Sequence, residues 1–107
     1  MGAARVITSA EFDAEVLKSN AAVVDFTATW CGPCKVLGPE IDKMVTEYAG
    51  KALIVKVDVD ASPELASRFA VMSVPTVLFF AGGQKIDQIN GNYPARIRDR
   101  LNSMIAG

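Results

Sequence analysis

The apolar residues of this chain fall into two kinds of run, continuous stretches and stretches with helical spacing. Residues 21–28 (AAVVDFTA) and 52–60 (ALIVKVDVD) are nearly continuous, which is typical of strands covered on both faces of a sheet. A third run at 75–81 (PTVLFFA) is followed by two glycines and then by QKIDQI. That arrangement predicts a β-hairpin with a two-residue turn.

Helical spacing marks the segments between these strands, after a short first strand around residues 5–7. The predicted helices have the approximate bounds 8–18, 31–48, 62–69 and 93 onward. Thr8 and Glu11 fit a capping box, and Pro39 predicts a kink in the second helix. The second helix is expected to bury these apolar residues: Val36, Ile41, Met44, Val45 and Tyr48. The order β-α-β-α-β-α-β-β-α predicts an α/β sandwich with helices on both faces of a mixed sheet.

Composition and charge limit the classes of protein to which this chain can belong. The chain has 107 residues, half of them apolar and 21% charged, which predicts one globular domain over residues 1–107. A net charge of −1 provides no basic surface for nucleic acid or for an anionic membrane. No apolar run approaches the roughly 20 residues of a membrane span. The opening MGAARVITSAEF lacks an apolar signal region, so we expect a cytoplasmic location.

The only two cysteines of the chain stand together in TATWCGPCKV, where a buried strand gives way to a helix. Half of a zinc site is one interpretation, but zinc needs four ligands, and the chain has no histidine and no third cysteine, so such a site would have to be shared between two chains. A structural staple is another, but so small a loop restricts the unfolded chain little. Chance spacing of two structural cysteines is a third. A C-x-x-C motif in a βαβ setting favours a redox couple.

The position of Cys31 at the start of a helix bears on its chemistry. The unpaired N–H groups and the positive dipole end of a helix N-terminus favour a thiolate. We therefore expect Cys31 at an exposed lip with a lowered pKa, and Cys34 one turn further in. Cys31 would attack a substrate disulfide, and Cys34 would then attack Cys31 and release the reduced substrate.

Two charged residues interrupt the apolar strands. Asp25 lies inside AAVVDFTA, where burial would raise its pKa and suit it to accept the proton of Cys34. Alternatively, Asp25 ends the strand, with its carboxylate in water or capping a turn. Lys56 interrupts LIVKV on the neighbouring strand and either pairs with Asp25 or extends to the surface.

VVDFTATWCGPCK, KVDVD, SVPT, FFAGG and the later Gly91 together resemble the thioredoxin family over essentially the whole chain. The resemblance implies the thioredoxin fold, a central mixed five-stranded sheet flanked by four helices. It also implies protein disulfide reduction with no bound cofactor beyond the redox-active disulfide. Electrons would come from NADPH or another donor through a thioredoxin reductase. The expected partners are that reductase and disulfide-containing proteins, and the expected state is a monomer.

The resemblance implies roles for individual residues near the cysteines. Cys31 matches the attacking thiol and Cys34 the resolving thiol. Gly32-Pro33 matches the dipeptide that accompanies a strongly reducing potential in the family. Asp25 matches a buried acid that assists the resolving thiol, and Lys56 matches the lysine beside that acid.

It also implies a groove that binds substrate. Val74-Pro75 matches a cis-proline loop that faces the active site, and the backbone of Val74 would pair with an extended substrate segment. Trp30, Pro75 and Gly91 would shape an apolar docking groove. From the residues alone, plainer interpretations stay open: core packing for Trp30 and an ordinary turn for Gly91.

Two rival functions follow from the same motif. An oxidant or isomerase would typically carry histidine between the cysteines, and this chain has none. A binding module would use the groove around Trp30 and Pro75 without redox chemistry, and the sequence is compatible with that use too.

Overall fold

A five-stranded mixed sheet forms the centre of the computed structural model, which describes residues 3–106. The strands β1 to β5 are Arg5–Val6, Ala21–Thr27, Leu53–Asp58, Thr76–Ala81 and Gln84–Asn90. Their spatial order is β1-β3-β2-β4-β5. Strand β3 pairs in parallel with β1 and β2, whereas β4 is antiparallel to both β2 and β5. The mixed sheet and the order of elements predicted from the sequence are confirmed.

Helices connect the strands at the predicted places. They are α1 (Ser9–Glu11, continued by a π-helical turn over Phe12–Val16), α2 (Gly32–Glu47), α3 (Pro63–Arg68) and α4 (Pro94–Ala106). The capping box is present, because Thr8 and Glu11 each accept the other's backbone N–H with a side-chain oxygen. The first helix is shorter than predicted: its last turn widens as the Leu17 N–H donates to the Phe12 carbonyl at 3.3 Å, the pattern of a π-helix.

Each face of the sheet carries its own apolar core. Val24 and Phe26 of β2 face α1 and α3, and Val23 faces α2 and α4. Because strand side chains alternate between faces, β2 is buried on both sides. This explains why its sequence is a continuous apolar run.

The apolar face of α2 begins one residue later than predicted. Val36 is 64% exposed, and Leu37 is fully buried in its place. The helix starts at Gly32 and turns Cys34 inward, so the inward positions follow as Leu37 and Ile41 at helical spacing. Met44 and Tyr48 are buried as expected. Pro39 lies inside this helix, and the kink expected there stays a prediction.

The strand register brings three chain segments to one edge of the sheet. Phe26 near the end of β2 pairs with Thr76 at the start of β4, and Thr76 pairs with Asn90 at the end of β5. The segment after β2, the segment before β4 and the segment after β5 therefore meet. The residues that they carry form the site described below.

The hairpin between β4 and β5 closes with a two-residue glycine turn, as predicted. Ala81 pairs with Gln84, and Gly82 and Gly83 have φ angles of +57° and +82°. Positive φ at both central residues is the geometry of a type I′ turn. A Cβ on Gly83 would collide with the Leu17 backbone, whereas a Cβ on Gly82 would meet no atom of residues 3–106 within 4 Å.

These two glycines provide a matched test of the hairpin. We expect Gly83→Ala to lower the free energy of unfolding by roughly 3 kcal/mol, because a positive φ and a backbone collision add. Gly82→Ala has only the positive φ and should cost about 1 kcal/mol. Urea unfolding of both variants measures the difference, and equal losses would contradict the close approach to Leu17.

Candidate active site

The cysteine pair occupies the start of α2, directly after β2. Cys31 is the N-cap residue, with φ −90° and ψ 117°, and Gly32 and Pro33 open the helix. Cys31 and Cys34 form a disulfide with their Cα atoms 5.3 Å apart. The Cys34 backbone N–H donates to the Cys31 sulfur at 3.2 Å. A thiolate at Cys31 would thus lie at the positive end of a helix with an amide donor in place.

The exposed lip expected for Cys31 is wrong. Cys31 is 5% exposed and Cys34 is 4% exposed, so the two differ little in burial. Ala28 forms one buried apolar cluster with the two cysteines, and the partly buried Val59 and Val74 pack against it. Neighbours from three separate chain segments therefore cover a position that helix geometry alone would leave open.

The loop before β4 lies against Cys31. The Val74-Pro75 peptide bond is cis, as the family resemblance implied. The Val74 carbonyl oxygen is 3.6 Å from the Cys31 sulfur. Gly91 joins the same group, since its N–H donates to the Pro75 carbonyl at 2.8 Å. The structure thus brings Val74, Pro75 and Gly91 together beside Cys31.

Gly91 is more than an ordinary surface turn. Its φ of +107° is a conformation that side chains rarely adopt. A Cβ on Gly91 would also approach the Tyr93 ring to 2.7 Å. Backbone conformation and close packing therefore both favour glycine where β5 ends beside the cis-proline loop.

An apolar groove opens next to the pair. Trp30 is 67% exposed, so core packing is not its role, and its indole N–H donates to Asp60 at 2.7 Å. The groove has a volume of about 150 Å³ and is lined by Trp30, Val59, Val71, Met72, Ser73 and Val74. Pro75 itself is buried and Gly91 half-buried. These two support the loop rather than line this groove.

Sequence reasoning missed Met72, which is 93% exposed beside Trp30. An apolar residue in a loop two positions before Val74 was the available signal. Without the structure, nothing distinguished it from a core methionine.

Asp25 is buried in the middle of the sheet. It is 1% exposed, and its Oδ1 atom has no hydrogen-bond partner among residues 3–106. This excludes the alternative that Asp25 ends the strand in water. Burial raises the pKa of Asp25 to about 7, against a lowering effect of the Lys56 charge and a smaller raising effect of Asp42.

Lys56 takes neither of its two expected positions. It is the register partner of Asp25 across β2 and β3, yet its ammonium binds Asp42 on α2 at 2.9 Å. Lys56, Asp42 and Cys34 line a groove of about 450 Å³. Asp42 was also missed, although Cys34, Gly38 and Asp42 follow one another at intervals of four residues on one helix face.

Residues 3–106 contain neither a cluster of metal ligands nor a membrane-spanning helix. No group of three or more His, Cys, Asp or Glu side chains there is placed to hold a metal ion. No helix in that range is both long enough and apolar enough to traverse a bilayer.

Comparison with known proteins agrees with this geometry. The family model described as thioredoxin matches residues 3–106. Thioredoxin 1 of Nostoc sp. is 44% identical over 95 residues, which are 88% of this chain and 89% of that protein. Thioredoxin of Staphylococcus aureus is 46% identical over 88 residues, which are 82% of this chain and 84% of that protein.

Solved structures show the same likeness. A thioredoxin of Malassezia sympodialis superposes with a TM-score of 0.87 at 36% identity, covering 98% of this chain and 93% of that chain. Mitochondrial thioredoxin 3 of Saccharomyces cerevisiae, in its oxidised form, superposes with a TM-score of 0.84 at 33% identity, covering 94% and 93%. With its disulfide pair at the start of α2, this chain belongs to the thioredoxin family of protein disulfide oxidoreductases.

Proposed function

We propose that Cys31 is the attacking thiol and Cys34 the resolving thiol in the reduction of disulfide bonds of other proteins. One observation carries this assignment: the Cys31 sulfur occupies the N-cap of α2 and accepts the Cys34 N–H. That environment stabilises a thiolate at Cys31. The exposed dipeptide Gly32-Pro33 separates the two sulfurs.

The reaction proceeds in two exchange steps. The Cys31 thiolate attacks one sulfur of the substrate disulfide, a mixed disulfide forms, and the other substrate sulfur leaves as a thiolate. Cys34 then loses its proton and attacks the Cys31 sulfur, which closes the Cys31–Cys34 disulfide and releases the second substrate thiolate. Two electrons pass from the dithiol to the substrate, and protons complete the substrate thiols.

Asp25 is proposed as the acceptor of the Cys34 proton. Its pKa of about 7 divides it between the charged and neutral forms near neutral pH, which suits a general base. Its side chain leaves β2 on the face covered by α2, where Cys34 lies. Proton transfer would pass directly or through water in the groove beside Cys34.

Substrate is proposed to lie along the cis-proline loop. The Val74 backbone beside the Cys31 sulfur would pair with an extended substrate segment. Trp30 and Met72 would contact apolar side chains that flank the substrate cysteine. Pro75 and Gly91 would hold the loop in place through their hydrogen bond.

We further propose the cellular setting. A thioredoxin reductase would return the disulfide to the dithiol with electrons from NADPH or another donor. The chain would act in the cytoplasm as a monomer of one domain, on disulfide-containing proteins, with Lys56 tuning the charge near Asp25. Family membership supports the reductase partner and the disulfide-containing substrates.

The reduction potential of the Cys31–Cys34 couple tests the direction of electron flow. We expect a value close to the about −270 mV already known for thioredoxin, because Gly32-Pro33 separates the cysteines and no histidine does. Equilibration of the protein with glutathione, followed by thiol trapping, measures it. A potential between about −120 and −180 mV would instead indicate an oxidant or an isomerase.

Substitution of each cysteine tests the order of attack. Cys31→Ser should abolish insulin reduction, since the attacking sulfur is gone. Cys34→Ser should accumulate a mixed disulfide between Cys31 and substrate, which non-reducing electrophoresis detects. Normal turnover by Cys34→Ser would disprove the two-step scheme. Partner binding that survives replacement of both Cys31 and Cys34 by serine would favour the binding module.

The role of Asp25 as a base predicts a kinetic defect. Asp25→Asn should slow resolution of the mixed disulfide at least tenfold at pH 7, because a positioned base contributes on the order of 10²–10⁴-fold. Stopped-flow quenching from pH 6 to 8 measures the rate. Asp13→Asn is the control, since Asp13 pairs with Arg68 at the surface. If Asp25→Asn resolved the mixed disulfide at the parent rate from pH 6 to 8, Asp25 would have only a structural role.

The same residue predicts a pH-dependent stability. The Asp25 pKa is about 7 in the fold and 3.8 as a free side chain, so between these values only the unfolded chain is ionised. Stability of the parent protein therefore falls as pH rises from 4 to 7, by up to on the order of 4 kcal/mol. Denaturant unfolding at a series of pH values is the measurement. The free energy of unfolding of Asp25→Asn, relative to that of the parent, should increase from pH 4 to pH 7 and stay constant above pH 7. A difference independent of pH would contradict the raised pKa.

A further inference from the structure

Lys56 lies between two carboxylates and binds only one of them. Asp25 and Lys56 are register partners on adjacent strands, so their side chains leave the same face of the sheet about 5 Å apart. Asp25 is 1% exposed and its Oδ1 atom has no partner among residues 3–106. An ammonium within reach would ordinarily pair with such a carboxylate, because an unpaired buried charge is costly.

Asp42 holds the ammonium instead. Its Oδ1 atom lies 2.9 Å from the Lys56 ammonium and also accepts the Ala4 backbone N–H at 2.9 Å. The Asp42 side chain is about one-third exposed, so it stays hydrated when ionised. Because Asp42 stays hydrated and has the Ala4 N–H as a second donor, it binds the Lys56 ammonium in preference to Asp25.

The competition takes place beside the resolving cysteine. Cys34, Gly38 and Asp42 lie on one face of α2, and all three line the groove that contains Lys56. A Cβ on Gly38 would lie 3.6 Å from the Lys56 ammonium. The lysine therefore passes beneath the helix turn that separates Asp42 from Cys34.

We propose that Asp42 is a positioning residue that holds the Lys56 ammonium away from Asp25 and thereby leaves Asp25 free to take the proton of Cys34. This inference rests on the proposed function of Asp25. Asp42 touches neither the substrate nor the reacting sulfurs in this scheme. It acts through Lys56.

The charges around Asp25 are few. Lys56 acts on it from β3 and Asp42 from α2, while its partner on β4 is the apolar Val77. Cys34 lines the groove that also contains Lys56 and Asp42. Asp58 lines the same groove further along β3. The Asp42 charge itself raises the Asp25 pKa, and the Lys56 charge lowers it. Loss of Asp42 would therefore lower the Asp25 pKa in two ways, by removing a negative charge and by releasing Lys56. These two effects have to be separated experimentally.

A double-mutant cycle separates them. We would compare the parent, Asp42→Asn, Lys56→Met and the double variant in the reduced state. The pH titration of the Asp25 carboxyl carbon by NMR is the measurement. Asp42→Asn should lower the Asp25 midpoint by about one pH unit or more, because an opposite charge nearby favours the ionised carboxylate. In the Lys56→Met background, the same substitution should produce less than half of that shift.

The pH profile for resolution of the mixed disulfide distinguishes a positioning role of Asp42 from a merely structural one, since a structural role would not shift it. In Asp42→Asn, the pH profile for resolution of the mixed disulfide should shift to lower pH together with the Asp25 midpoint. The plateau above pH 8 should fall severalfold, since a weaker base accepts the Cys34 proton less readily. Asp13→Asn, which removes the same charge from a surface ion pair, should leave both the profile and the titration unchanged.

Two outcomes would overturn the proposal. An unchanged Asp25 midpoint in Asp42→Asn would show that the lysine is not redistributed. Equal shifts with and without the Lys56 side chain would show that Asp42 acts through its own charge alone. Failure of the proposed function is distinguishable, because Asp25→Asn would then resolve the mixed disulfide at the parent rate while the NMR cycle still reports on the lysine.

Discussion

The antiparallel register of β2, β4 and β5 is the constraint on which the site depends. Because Phe26, Thr76 and Asn90 are paired across three strands, one strand end, one strand start and another strand end lie side by side. The N-terminus of α2, the cis-proline loop and Gly91 follow or precede these positions directly. A shift of one residue in either pairing would turn every side chain of the shifted strand to the opposite face. Between β2 and β4 it would separate Cys31 from Val74, and between β4 and β5 it would separate Gly91 from Pro75.

Burial of Asp25 shows how the fold maintains a group that weakens it. The central strand is covered on both faces, and an ionised carboxylate there loses hydration that no hydrogen bond from residues 3–106 replaces at Oδ1. The same loss raises its pKa to about 7, the range that proton exchange with a thiol at neutral pH requires. Stability and reactivity therefore oppose each other at one side chain.

The ion pair between Lys56 and Asp42 extends this balance to α2. A lysine bound to Asp25 would stabilise the ionised carboxylate and lower its pKa. With the lysine bound to Asp42, Asp25 retains its raised pKa while Lys56 still has a partner. Lys56 therefore binds the carboxylate on the helix rather than the one on the sheet, and this choice depends on how closely α2 packs over β3.

Much of the fold and part of the site were accessible from the sequence. Continuous apolar runs, the capping box of Thr8 and Glu11 and the paired glycines each act within a few residues, so local patterning determined the elements and their order. The C-x-x-C motif at a strand-to-helix boundary likewise determined the kind of chemistry. Each of these features involves residues that are close together in the sequence, so it can be recognised from the sequence alone.

Tertiary structure alone decided the burial of Cys31, the exposure of Met72 and the partner of Lys56. Each depends on which distant segment packs against the residue: the Val74 loop against Cys31, and α2 above Lys56. Lys56 lies on the strand next to Asp25 as the sequence predicted, but its ammonium takes neither expected position, because the choice between two carboxylates depends on distance and hydration. Those quantities exist only once the helix has packed on the sheet.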